Sequence, residues 1–435
     1  MESLSFIFST LRIVFGFVFS FWWLWLPPAL LFGAYEAWLL YREDKYLAGL
    51  QWVLLEVTPP PDVPRSPKAM ENFFAGLHGI YSSVSKKKKF FEGKVPDWFS
   101  LELVGNQGDM KFYIRSLQSY RNLVESQIFA QYPEAEVMVA EDYIDLLPEH
   151  LPNEEYELFG TELEFSKDNA FPIKTYPAFE EPTGKDEFRT IDPLAPLAEV
   201  LTSLGHGEHI WIQILVSPTG DGWVKAAQPV IDKLGGKKGK PPEGNAVQNT
   251  VDNIGKGLDS LMNFALGTEG KEEKKEEKDE FNVQKLTPGQ RSVLEQVELK
   301  VTKHGFNSGI RFIYISKKDV FNRARVSSVT GVFKQVYANT LNSFKPNMTT
   351  MTLSKGVAPW LFPSDRGFGA SAEELEKKKK LYRKYRDRDT TKKEIILNTE
   401  ELATLFHLPG LNVLAPSTPR VGGRKAQPPI ELPTR

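Results

Sequence analysis

The residues best suited to chemistry are few and scattered. Of six histidines, only His206 and His209, in the string His-Gly-Glu-His, lie close together. Two imidazoles three residues apart can begin a metal site, but zinc needs further ligands, and no partner cluster stands near them. A turn before an apolar strand is the ordinary place for such polar residues, so neither a metal nor a cofactor is expected. The acidic pairs Glu154-Glu155 and Glu180-Glu181 fall among prolines and loops, a setting for solvated surface rather than a general acid–base pair.

Other catalytic signatures are missing. There are no cysteines, which excludes disulfides, thiolate metal sites and a cysteine nucleophile. No G-x-x-x-x-G-K-[ST] loop occurs; the nearest strings, GGKKGK and GTEGKEE, lack its spacing and the hydroxyl that ligates magnesium. G-x-S-x-G and H-E-x-x-H are absent too. A non-enzymatic role is the resulting expectation.

Two local patterns suit binding. Net charge is −2, so only clusters count. The run KKKKLYRKYRDR supplies Lys377, Lys378, Lys379, Lys380, Arg383, Lys384, Arg386 and Arg388 against Asp387 alone. Preceding Glu373, Glu374 and Glu376 suit a helix N-terminus. Such a helix can neutralise DNA phosphates or sit on anionic lipid, with Lys86–Lys89 as a second basic run. A solvated connecting helix accounts for the same residues. Val247, Val251, Ile254, Leu258 and Leu261, continued by Ala265, draw an apolar seam at alternating four- and three-residue spacing. It reads as a partner-docking helix over 247–265, although Gly255 and Gly257 weaken it by ~1 kcal/mol each, and chance spacing in a flexible insert explains it equally.

The elements that must carry these residues follow from hydropathy. Phe6–Leu26 is 21 residues with only Arg12 charged, enough for a helix to cross ~30 Å of hydrocarbon. Trp22, Trp23 and Trp25 before Pro27-Pro28 mark a membrane boundary. Residues 29–41 are apolar but short for a second crossing; re-entry, an interfacial position and a hairpin all fit. Residues 1–45 are thus expected to anchor the chain in the cell membrane. Arg42 and Lys45, set against Arg12 at the other end, give the expectation that the soluble domains are cytoplasmic.

Beyond the anchor, residues 46–150 read as strand, helix, strand, strand, helix, strand. The strands are near 51–57, 99–104, 110–115 and 135–140, and this is the ferredoxin-like split order. A second α+β block is expected over 151–234 and 281–365, interrupted by a charged flexible insert over 235–280. A basic helix over 366–392 and a C-terminal motif with a Pro-rich tail over 393–435 complete the chain. The predicted fold class is therefore α+β, an N-terminal transmembrane anchor followed by ferredoxin-like split βαββαβ units.

The strings MENFFAGLHG (70–79), DPLAPLAEVLTSLGHGEHIWIQILVSP (192–218), GIRFIYIS (309–316), NSFKP (342–346) and LNTEELATLFHLPG (397–410) together resemble the membrane-proximal region of bacterial type IV secretion, conjugative DNA-transfer ATPases. The likeness covers roughly residues 45–410. In those ATPases the last motif leads into the nucleotide-binding core, whereas here a Pro- and Arg-rich tail follows. The resemblance implies a membrane-anchored accessory or scaffold of a secretion or conjugation apparatus, positioning a separate motor ATPase through its C-terminal segment. Its implied partners are membrane lipid and proteins of the secretion complex. The alternative is a membrane-tethered module that binds DNA or anionic lipid through Lys377–Arg388.

Overall fold

The computed structural model describes residues 20–60, 66–182, 188–190, 192–235, 286–353, 370–389 and 395–409. Its first element is a long helix, α1 (Trp22–Ala48), which continues through Pro27 and Pro28. Next come β1 (Trp52–Thr58), α2 (Lys68–Leu77), α3 (Lys86–Glu92), β2 (Phe99–Asn106), β3 (Asp109–Leu117), α4 (Arg121–Gln131) and β4 (Glu136–Val139). The middle of the chain gives β5 (Tyr156–Phe165), a small ribbon of β6 (Glu180–Pro182) and β7 (Phe188–Thr190), α5 (Ala195–Thr202), β8 (Glu208–Pro218) and α6 (Gly222–Leu234). The remainder is α7 (Pro288–Val301), β9 (Gly305–Lys317), α8 (Arg323–Gln335), β10 (Phe344–Pro346), α9 (Ala370–Arg386), β11 (Ile395–Asn398) and α10 (Thr399–Leu405).

The expected transmembrane anchor is corrected. Among the described residues no helix is long and apolar enough to cross a membrane. Instead of ending at the prolines, α1 runs on through Glu36, Arg42, Glu43, Asp44 and Lys45, so its apolar stretch is diluted by charge. Residues 1–19, most of the expected span, lie outside the described residues.

The fold itself is α+β, built on one large antiparallel sheet of nine strands in the order β10-β5-β9-β8-β2-β3-β1-β4, with β11 also pairing β9. Residues 46–150 and the later block are therefore not separate bodies. Within the first block the order is β4-β1-β3-β2; within the second it is β10-β5-β9-β8. Each is the fourth, first, third and second strand of a split βαββαβ unit. The two halves meet edge to edge where β2 pairs with β8, from Phe99↔Val216 to Asn106↔His209. The β2–β3 turn is tight, with Gln107 and Gly108 at positive φ, as two-residue hairpins require. At the equivalent position the second half carries α6, residues 236–285, which lie outside the described residues, and α7.

Strand alternation sorts the side chains. One face presents Leu55, Leu101, Phe112, Ile212 and Phe312 to a layer formed by α2, α4, α5, α8 and α10. The opposite face presents Leu54, Val104, Tyr113, Trp211 and Ile313 to Leu381, Tyr382 and Tyr385 of α9, and to the Tyr143–Leu151 segment. A satellite cluster joins Ala227 and Ile231 of α6 to Val293, Leu294 and Val297 of α7.

Candidate functional site

The face under α9 holds an unusual amount of charge. Register aligns Glu162, Arg311, Gln213, Glu102, Tyr113 and Glu56 in one polar row crossing β5, β9, β8, β2, β3 and β1. At its centre, Glu102 and Arg311 are fully buried. Such charges persist only when paired and hydrogen-bonded, and the end of α9 supplies the partners.

Arg388 adopts the left-handed conformation at φ 51°. This turns its side chain under the helix, where Nε donates to Glu102 Oε1 at 3.0 Å and Nη2 to Oε2 at 3.2 Å. Its Nη2 also donates to Asp142 Oδ1 at 2.9 Å, and Nη1 to Asp142 Oδ2. Ser100 Oγ donates to Glu102 at 2.6 Å, and Gln213 Nε2 bridges Glu102 Oε1 and the Tyr385 carbonyl. Burial pushes the Glu102 carboxyl up, but Arg388 and Ser100 outweigh it and hold the group below its ordinary value. Arg311 donates to the Lys384 carbonyl at 2.6 Å and to the Asp389 carbonyl. It thereby satisfies carbonyls at a helix C-terminus, where a cation is favoured. The Tyr143 and Tyr385 hydroxyls share a 2.8 Å hydrogen bond beside it, and burial pushes both phenols up.

This arrangement redefines the basic run. Lys377 pairs with Glu373, Lys378 with Glu157 and Glu374, Lys379 with Glu376, Lys384 with Glu162, and Arg386 with Asp145. Arg388 is interior. Lys380 and Arg383 are exposed and form no ion pair with a described carboxylate. Lys377, Lys380 and Lys384 line a cavity of about 330 Å³ with Thr349, Thr350 and Glu162, the last offsetting part of their charge. The helix thus acts mainly as a cover for the sheet. Sequence reasoning found the cations but missed their carboxylates, because Glu102, Glu157 and Glu162 lie more than 200 residues away on strands.

The other singled-out residues also find structural places. His206 Nδ1 lies 2.7 Å from Gln107 Oε1 and His209 Nδ1 2.9 Å from Asn106 Oδ1, so both brace the β2–β3 turn. Among the described residues no group of three or more metal-ligating side chains is assembled. Glu155 pairs with Lys317, and Glu180-Glu181 fall on β6. The seam Val247, Val251, Ile254, Leu258 and Leu261 lies outside the described residues.

The C-terminal motif is folded into the body. β11 pairs Ile395–Asn398 with Ser308–Gly305 of β9, and Asn398 caps α10 in a reciprocal capping box with Glu401. Glu401 then meets Lys300 Nζ at 3.1 Å, both side chains being fully buried. Phe406 and His407 are interior; the His407 ring nitrogens face the Ala403 carbonyl and Asp192 Oδ1 at 2.8 and 2.9 Å.

Fold and site together define an antiparallel α+β platform with a buried charge row clamped by a helix. The model of a family described as "Domain of unknown function (DUF8128)" matches residues 42–419, and the chain belongs to that family. No curated protein matches it.

Proposed function

We propose that the protein is a non-catalytic assembly component of a type IV secretion- or conjugation-like apparatus, positioning a separate motor ATPase. The observation that carries this reading is the seating of residues 395–408. The corresponding segment of the ATPases it resembles leads into the motor; here it is strand and helix of the platform itself, locked by Glu401 and Lys300. Residues that follow this segment depart from a site anchored in the sheet. Because Leu402, Phe406 and Leu408 are buried, contact with a motor falls to surfaces other than this segment.

The test is affinity capture of the full chain from its own cells after cross-linking, with an ATP hydrolysis assay on the purified chain. A subunit bearing a phosphate-binding loop should co-purify, while the chain alone should leave ATP intact. Capture of no such subunit, or hydrolysis by the chain itself, contradicts the proposal.

A further inference from the structure

Among the described residues, the helix pair at the N-terminus exposes much of its apolar surface. α1 packs chiefly on α3: Tyr35 stacks on Phe90 at 5.8 Å, Trp38 Nε1 donates to the Phe90 carbonyl at 3.0 Å, and Arg42 donates to the Phe91 carbonyl. Toward its N-terminal end α1 is largely exposed. Trp22, Trp23, Leu30, Leu31 and Phe32 each expose more than half of their surface, where soluble proteins rarely leave a contiguous apolar patch without a partner.

A second observation says what kind of partner. Lys86–Lys89 form the start of α3; all four are exposed, and none pairs with a described carboxylate. No acid stands in that first turn, so the lysines gain nothing from the helix dipole, which disfavours cations there. Four successive positions about 100° apart spread the ammonium groups around most of α3, the helix against which α1 packs. Phe91, beside them, is also largely exposed. An exposed apolar helix packed on a helix of unpaired lysines matches the layering of a bilayer surface, with rings at headgroup level and cations against lipid phosphates.

We propose that the α1–α3 pair is a docking surface for anionic lipid headgroups, with α1 lying in the plane of the interface. The proposal differs from a crossing helix, and it stands independently of the secretion reading. The full chain should float with vesicles of phosphatidylcholine and phosphatidylglycerol at low salt, with a blue shift of tryptophan emission. It should bind pure phosphatidylcholine more weakly, and alkaline carbonate should release it. Reversal of Lys86, Lys87, Lys88 and Lys89 to Glu should weaken binding to the anionic vesicles by at least about tenfold, since each lysine near such a surface contributes ~1 kcal/mol, or about fivefold. Undiminished binding by this variant overturns the proposal. So does equal binding to neutral vesicles, retention after carbonate, or binding to neither vesicle type, the last being the behaviour of a protein-docking surface.

Discussion

Arg388 and Glu102, 286 residues apart in sequence, meet through two hydrogen bonds of 3.0 and 3.2 Å beneath α9. The contact ties the end of the basic helix to the strand at the seam between the two halves of the sheet. Removing one partner of a buried pair strands the other. Arg388→Met is therefore expected to destabilise the fold by ~3–5 kcal/mol, read as a lowered urea midpoint. Adding Glu102→Leu should recover much of the loss, since replacing both charges by apolar groups is often neutral.

Acid should weaken the fold in two stages. His209 is buried, and burial, with His206 adding to it, pushes its pKa down to about 4. The folded state thus holds it neutral where an unfolded histidine, near 6.5, takes up a proton. Its contribution is fully present above pH ~6.5 and is lost as pH falls toward ~4, at most ~3 kcal/mol. Glu102, held below its ordinary value, contributes above the unfolded carboxylate range, and that contribution is lost at still lower pH. Urea titrations between pH 7 and 4 should show the first stage flattened in His209→Gln.

The Lys300–Glu401 pair should govern the C-terminal motif. Burial pulls the Lys300 ammonium down, and Glu401 opposes the shift. Its Nζ also donates to the Phe171 and Ile396 carbonyls, at 3.2 and 3.0 Å. Lys300→Met leaves Glu401 buried without its cation, and a loss of ~3–5 kcal/mol is expected. Hydrogen exchange should accelerate first over residues 395–408; uniform acceleration across the sheet would show that the motif has no separate lock.

Gly93 sets the approach of α1 to α3. It sits at φ 71°, and a Cβ there would stand 2.0 Å from the Arg42 carbonyl oxygen. Gly93→Ala combines left-handed strain of about 1 kcal/mol with a backbone clash that only separation of the helices relieves. Amides of Lys86–Glu92 should exchange faster while those of β2 and β8 keep their protection.

Much of the scaffold was legible because its signals are local. Tyr156–Phe165 and the hairpin around Gly108 follow from alternation and turn chemistry, and the Met70, Phe73, Phe74, Leu77 stripe from helical period. That helix stops at Leu77, and Lys86–Lys89, a bare charge run in the sequence, open a separate short helix. The union of both halves through β2 and β8 was not legible, since pairing between distant strands leaves no periodic trace. Nor was the inward turn of Arg388, which depends on a backbone angle. α6, with Pro229 inside it, was missed because proline argues against a helix interior.

The β2–β8 seam has a further consequence for how the chain can be divided. In isolation, the N-terminal half would present eight residues of β2 as a raw hydrogen-bonding edge, and the C-terminal half eleven residues of β8. Among the described residues the strands of this sheet with a single partner are β4, β10 and β11, of four, three and four residues, too short to template much growth. Each half therefore shields the other from aggregation, and a fragment ending near residue 150 would behave as an adhesive rather than as a domain.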